Sequence, residues 1–331
     1  MITIKECNDQ SKWDEYVLYN NGHPLQLWGW GEVKATHNWR AYRLFILKDD
    51  IIIASAQVLL RQLPKPFKSL AYIPRGPIVL ANDQQLILNK ISEFVKESFD
   101  SVAISIEPDT EEEFSLEGWK QSKNTILVPR TIIIDLGQGT DALQADMSKK
   151  TRQYIRKSSA EKMIIRQVKD KQDLENCLEI YKQTAERANF ALHNDDYYYD
   201  IATMMGDYSV VFASFVDDKP VAFLWLLISK QTAFELYGGV NEIGQNMRAN
   251  YALKWHAISK MKQWGIIRYD LNGLLNDGIS NFKQGFASHE NKLVGTYDRP
   301  LSGYYSLWQK GLPAMKSVLR KIKSVKKSTR S

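Results

Sequence analysis

Few residues in this sequence are spaced as a metal or nucleophilic site requires. The five histidines (His23, His37, His193, His256, His289) are scattered, with no i, i+4 pair and no cysteine beside them. That pattern offers no zinc-type ligand set. Cys7 and Cys177 are the only cysteines, so neither a disulfide framework nor a cysteine-based metal site is expected. No Gly-x-Ser-x-Gly elbow, phosphate-binding P-loop or dinucleotide fingerprint occurs. What the sequence does offer is cationic chemistry. Residues 299–331 carry nine Lys or Arg and no acid, and residues 147–171 carry nine against Glu161 and Asp170. The formal net charge is +6, so the rest of the chain is net acidic. Cations confined to two segments favour docking of a polyanion at defined places.

The elements that must position such residues follow from length and hydrophobic period. At 331 residues, 44% hydrophobic and 25% charged, the chain has material for about two domains of ~150 residues each. No apolar run approaches the ~20 residues that span a bilayer. The most apolar stretch, 210–229, is interrupted by Asp217, Asp218, Lys219 and Pro220. Residues 1–10 lack a signal-peptide profile, so a cytoplasmic location is expected.

One pattern runs through the chain twice. Runs rich in β-formers, 42–48 and 51–60, meet at Asp49-Asp50, a hairpin signal; 210–216 and 221–229 meet through Asp217-Asp218-Lys219-Pro220. Each hairpin is followed by a short strand ending in glycine (70–76, 233–239), an amphipathic helix (86–99, 251–264) and a further strand (101–106, 266–271). The offsets between the copies lie between 163 and 168 residues. This is also the core order of the GNAT (acyl-CoA N-acyltransferase-like) fold. The expectation is an α/β (α+β) chain of two tandem GNAT-like domains. Residues 1–146 form the first, completed by a C-terminal helix within 297–331, and residues 147–296 the second. Between the copies, a basic helix is expected from its N-cap Ser148 through Ala160. A second basic amphipathic helix is expected over 312–327, with Pro313 in its first turn. An acetyl-CoA enzyme of this fold needs glycines ahead of the second helix, so that backbone N–H groups can approach pyrophosphate. Here Arg248 and Asn250 stand at those positions, which weighs against CoA.

Several short stretches then occur in a telling order: Trp28-Gly29-Trp30-Gly31-Glu32-Val33-Lys34, Tyr72-Ile73-Pro74-Arg75-Gly76-Pro77, Lys149-Lys150-Thr151-Arg152 through Ile155-Arg156-Lys157, Tyr181-x-x-Thr184-x-x-Arg187, Tyr237-Gly238-Gly239, and Tyr269-Asp270-Leu271 followed by Phe282-Lys283-x-Gly285-Phe286. As an ordered set they resemble the FemAB family of aminoacyl-tRNA-dependent transferases, which add amino acids to the stem peptide of peptidoglycan precursors. The resemblance covers nearly the whole chain. It is nearest the compact FemX-like type, since the chain has no room for a coiled-coil arm.

The resemblance implies roles. Lys34, Arg187 and Tyr237 match acceptor-binding positions, and Arg75 is a further cation for an acceptor rich in phosphates and carboxylates. The alternative readings are a solvated helix residue for Lys34 and a turn anchor for Arg75. Lys283, after Phe282, takes the part of a cation near the tRNA terminus. Attack of an amine on the aminoacyl ester builds charge on the carbonyl oxygen, and a fixed donor there stabilises it. Otherwise Lys283 is a surface lysine beside a core phenylalanine. A lysine nucleophile with pKa ~10.4 needs about 4–5 kcal/mol to lose its proton at pH 7. Glu107 stands where the family usually has aspartate before proline, either as a catalytic acid–base group or as a structural acid. Lys149, Lys150, Arg152, Arg156 and Lys157 are expected along tRNA phosphates, by backbone and shape. For the C-terminal tail three readings stand equal: tRNA phosphates, an anionic membrane surface at its inner face, or packing on the first domain.

The expected activity is therefore transfer of an amino acid from aminoacyl-tRNA, a co-substrate, to the stem-peptide amine of a UDP-linked or lipid-linked precursor. No metal or other cofactor is called for. The rivals are a CoA-dependent N-acyltransferase and a non-catalytic tRNA- or membrane-binding protein on the same scaffold.

Overall fold

In a computed structural model, residues 1–80, 83–112, 115–275 and 277–311 are described. They group into two compact units. The first contains Met1–Asp9, Lys34–Pro129 and residues 294–311, and the second contains Gln10–Val33 and Arg130–Leu293.

The first unit is built on a sheet ordered Ile2–Glu6, Trp39–Lys48, Ile51–Gln62, Ser69–Ile73, Ser101–Ile106, Tyr297–Pro300 and Lys120–Gln121. The helix Gln84–Phe99 buries Ile87, Leu88, Ile91 and Val95 against it, the i, i+4, i+8 stripe that its apolar residues dictate. The second unit repeats the plan in the order Ile164–Gln167, Ser209–Val216, Lys219–Ile228, Thr232–Val240, Arg268–Asp270 and Ile133–Asp135. Its helix Ala249–Gln263 packs Ala249, Leu253, Ala257, Ile258 and Met261 into the core beneath.

The same local chemistry turns both hairpins. Lys48 pairs with Ile51, leaving Asp49 and Asp50 at φ +51° and +65°. Val216 pairs with Lys219, leaving Asp217 and Asp218 at +47° and +57°. Two-residue loops with both φ positive match the strand twist, and aspartate tolerates that region. Lys219 and Pro220, expected in the turn, belong instead to the strand. Pro220 sits opposite Phe215, where the register shifts and a missing N–H costs least.

Two segments group differently from the sequence expectation. Residues 130–146, assigned above to the first domain, belong with the second unit. Ile133–Asp135 supplies its edge strand and Leu143 enters its core. Residues 10–33 do likewise, with the His23 ring edge-on to Phe234 at 4.8 Å and Trp28 N–H bonded to Asp14 at 2.7 Å. The glycine of the Trp28-Gly29-Trp30 stretch explains itself here. A Cβ on Gly29 would lie 2.2 Å from the backbone oxygen of Met204. Gly29→Ala is therefore expected to destabilise the fold by about 2–3 kcal/mol, read as a lower denaturation midpoint.

From Tyr297 the chain returns to the first unit, pairing with Ser101–Ile106. A helical turn from residue 305 buries Tyr305 and Trp308 beside Val102, Leu63 and Phe67. The helix expected over 312–327 lies outside the described residues.

Candidate active site

The two units treat their central parallel strand pair in opposite ways. In the first, Ser69–Ile73 and Ser101–Ile106 stay paired through Ile73 and Ile106, and Glu107 N–H continues the ladder to the Ile73 carbonyl at 3.1 Å. In the second, the ladder between Thr232–Val240 and Arg268–Asp270 stops at Phe234 and Asp270. Asp270 Oδ1 accepts the N–H of Asn272 at 2.8 Å, and Asn272, at φ +56°, turns the chain away. Thr232–Val240 runs on, held on its other edge alone, so the strands part into a wedge.

That wedge opens into a cavity of about 430 Å³ lined entirely by the second unit. Tyr181, Arg187, Phe223, Glu235, Tyr237, Lys254, Asn272, Phe282 and Lys283 all contribute. Four of the residues expected from the sequence thus meet in one place: Phe282, Lys283, Arg187 and Tyr237.

Lys283 rides on the short helix Gly278–Gln284, whose N-cap Asp277 accepts from Ser280 N–H. Its Nζ donates to the Asn272 carbonyl at 2.9 Å and the Gly273 carbonyl at 3.1 Å. Burial pulls the ammonium down to about 8; Glu235 opposes that shift and Lys254 adds to it. The surrounding motif is explained residue by residue. Phe286 is fully buried, Phe282 stands edge-on to Tyr251 at 4.9 Å, and a Cβ on Gly285 would strike Thr151 Oγ1 at 2.3 Å. A partly desolvated ammonium on a cavity wall can donate to an oxygen that gains charge during reaction.

Tyr237 packs against Tyr181 at 5.2 Å and Tyr198 at 5.3 Å, and its hydroxyl is hydrogen-bonded to Tyr197. Burial holds that hydroxyl well above its ordinary value, so it stays protonated. Arg187 is exposed at the cavity edge and donates to the Val240 carbonyl at 3.0 Å. Thr184, three residues earlier on the same helix, accepts from Val240 N–H and so ties that helix to the wedge strand.

Lys34 and Arg75 belong to the first unit. Lys34 is in the last turn of Trp28–Ala35, where burial, and then the Arg61 charge, pull its ammonium down to about 8. Arg75 is 2% exposed, sits at φ +46°, and has no hydrogen-bond partner for Nε or one terminal nitrogen. Left-handed geometry at a bulky residue costs of order 1–3 kcal/mol, and buried unmet donors cost more. Both features fit a guanidinium built to receive an anion.

Glu107 does not have the surroundings of a catalytic base. It is 1% exposed and accepts from Thr296 Oγ1 at 2.6 Å, Leu127 N–H at 2.8 Å, Ile126 N–H at 3.3 Å and the Tyr72 hydroxyl. These are all first-unit groups, and the carboxylate closes the strand pair that the second unit leaves open. Among the basic-helix residues, Lys149, Lys150, Arg156 and Lys157 are exposed on Lys149–Ser159, capped by Ser148 as expected. Arg152 differs: one nitrogen of its guanidinium, Nη1, donates to the carbonyls of Gln144, Ala145 and Met147. At the position of the missing CoA cradle, Arg248 adopts φ +54° and lays its guanidinium 4.5 Å over the Tyr154 ring. No metal-ligating group of three or more acids, cysteines or histidines occurs among the described residues.

Lys254, Glu235 and Asn272 were not singled out from the sequence. The signal available was a lone charge in each buried stripe: Lys254 beside Leu253 and Ala257 on its helix, and Glu235 beside Phe234 on its strand.

Residues 9–130 match the FemAB family, and residues 145–284 match the acetyltransferase (GNAT) domain. A crystal structure of FemX superposes with a TM-score of 0.82 at 18% identity, covering 92% of this chain and all of that one. The chain is similar to FemAB-type proteins. A tandem GNAT protein from the clavulanic acid biosynthesis pathway shares the fold more distantly, with a TM-score of 0.54 at 9% identity over 91% of this chain and 99% of that one. The tandem GNAT architecture expected from the repeat is thus the one found. A curated relative, "Lipid II:glycine glycyltransferase" of Staphylococcus aureus (strain MRSA252), is 28% identical over 207 residues, 57% of this chain and 49% of the relative. A second S. aureus protein of that name is 28% identical over 199 residues, 55% and 47% respectively. The chain spans about half the length of the curated relatives it matches.

Proposed function

We propose that this chain is an aminoacyltransferase that moves an amino acid from aminoacyl-tRNA to the stem-peptide amine of a peptidoglycan precursor, UDP-linked or lipid-linked. The observation that carries the reading is the desolvated Lys283 ammonium, fixed by two carbonyls in the open wedge of the second unit. The names of the relatives, lipid II:glycine glycyltransferases, supply the substrate class. The amine nitrogen attacks the ester carbonyl and Lys283 donates to the oxygen as it gains charge. The C–O bond to the tRNA ribose then breaks, an amide remains, and the amine proton passes to the departing hydroxyl. Phe282 and Tyr237 shape the apolar wall on either side. Arg187 meets a phosphate or carboxylate of the acceptor, and Lys34 and Arg75 are proposed as acceptor-binding cations of the first unit. Incubating the protein with charged tRNAs and both precursor forms, then weighing the products, tests this. A gain of one aminoacyl residue supports it, and no gain in any pairing rejects it.

The tRNA is held in this reading by Lys149, Lys150, Arg156 and Lys157. Converting all four to alanine is expected to flatten the slope of log affinity against log salt by up to about 3, since each phosphate contact contributes roughly 0.7–0.9. Arg152→Ala should instead lower stability and leave the slope nearly unchanged. The work is assigned to the cytoplasm, with a lipid-linked acceptor met at the inner face of the membrane. No helix among the described residues is long and apolar enough to cross one. The basic chain from 312 onward, outside the described residues, is the segment assigned to that peripheral contact.

A further inference from the structure

Beside Lys283 the cavity wall holds a buried ion pair. Lys254 Nζ lies 2.6 Å from both carboxylate oxygens of Glu235, and the two side chains are 3% and 6% exposed. The Tyr269 hydroxyl completes the set, donating to Glu235 Oε1 at 2.9 Å. Burial and the carboxylate hold that hydroxyl well above its ordinary value, so it stays a donor. Such a pair is a poor source of stability. Apolar residues of the same volume often do as well or better, and the other buried residues of the helix around Lys254 are Ala, Leu, Ile and Met.

Two links run from the pair to the reacting groups. Lys254 Nζ stands over the Phe282 ring at 5.1 Å and the Phe286 ring at 5.6 Å, within cation–ring range. Asn272 Nδ2 donates to the Glu235 backbone carbonyl at 3.0 Å, while the Asn272 carbonyl accepts from Lys283 Nζ. The charged groups facing Lys283 come from every neighbouring element: Glu235 from Thr232–Val240, Lys254 from Ala249–Gln263, Asp270 from Arg268–Asp270, and Asp277 from the cap of its own helix.

Resting on the assignment of transfer to this cavity, we propose that Lys254 and Glu235 are positioning residues: the pair clamps the Phe282 ring and, through Asn272, sets where and in what charge environment the Lys283 ammonium stands. The two charges act on Lys283 in opposite senses, the carboxylate holding its proton and the ammonium repelling it. Removing one leaves the other acting alone, so the single variants must move Lys283 in opposite directions, which loss of packing does not do.

The test follows the Lys283 titration by NMR in full-length protein labelled at lysine Cε, with the signal assigned using Lys283→Arg. Lys254→Met should raise the midpoint by about one pH unit or more, and Glu235→Gln should lower it by a similar amount. The double variant K254M/E235M replaces the pair by apolar side chains and guards against misfolding of the singles. It should titrate within about half a unit of the parent, yet lose ~10- to 100-fold in kcat because the ring and the ammonium are no longer fixed. Shifts in the same direction, no shift, or an unchanged kcat in the double variant overturn the proposal. Should the parent show no transfer activity at all, the functional reading falls, and the three titrations alone decide whether the pair governs Lys283.

Discussion

Replacing Lys283 with Met should lower kcat for transfer by ~100- to 1000-fold, the loss typical of removing one donor to a developing oxyanion. KM for the acceptor should stay within about twofold of the parent, because that donor acts on charge that exists only in the transition state. Lys283→Arg should recover little. Two backbone carbonyls 2.9 and 3.1 Å from Nζ fix a compact ammonium, and a planar guanidinium does not reproduce that geometry. The pH dependence follows from the same burial. With the ammonium at about 8, activity that needs it protonated is full below that value and falls as pH rises through it. The stability effect has the opposite sense. The folded value lies below the ordinary 10.5, so the unfolded chain binds more protons between about 8 and 10.5. The fold therefore bears the cost of the buried charge in full below about 8 and is relieved as pH rises. K283M should then melt no lower than the parent at pH 7 while losing nearly all its activity. A packing residue would show the reverse.

Glu107→Ala carries the second large effect, and it falls on stability. Truncation removes the shared acceptor of the Tyr72 hydroxyl, Thr296 Oγ1 and two backbone N–H groups, all inside the first unit. Unsatisfied buried donors cost ~1–3 kcal/mol each, with some relieved by relaxation, so a loss of about 3–5 kcal/mol is expected in denaturant unfolding. Glu107→Gln keeps the shape and one acceptor oxygen. It should lower the melting temperature but leave kcat per folded molecule within about threefold at a permissive temperature. A thousandfold fall in kcat for the folded glutamine variant would instead make Glu107 the base that its place in the family pattern implied.

The repeat, the hairpins and the capped basic helix were legible because period and turn chemistry are local. Asp49-Asp50 and Asp217-Asp218 specify the same two-residue turn wherever they occur, and Ser148 caps the helix it precedes. The asymmetry between the copies was not legible. Whether a parallel strand pair stays closed at Glu107 or opens at Asn272 depends on a hydroxyl donor 189 residues away at Thr296 and on a local αL residue that no period announces. Arg152 shows the limit of reading charge by count. It looked like a phosphate ligand among its neighbours, and one of its guanidinium nitrogens turns back onto three carbonyls of the preceding segment. The Lys254–Glu235 pair was hidden for a related reason. Each member looks like an ordinary solvated charge until both helix and strand turn it inward.

The most direct measurement is the structure of this protein bound to a short RNA hairpin that carries an amino acid on its 3′ end through a stable amide. The acyl carbonyl oxygen is predicted within ~2.7–3.1 Å of Lys283 Nζ, between Phe282 and Tyr237. An acyl group bound outside the wedge, or a hairpin that binds with that carbonyl turned away from Lys283, contradicts the account.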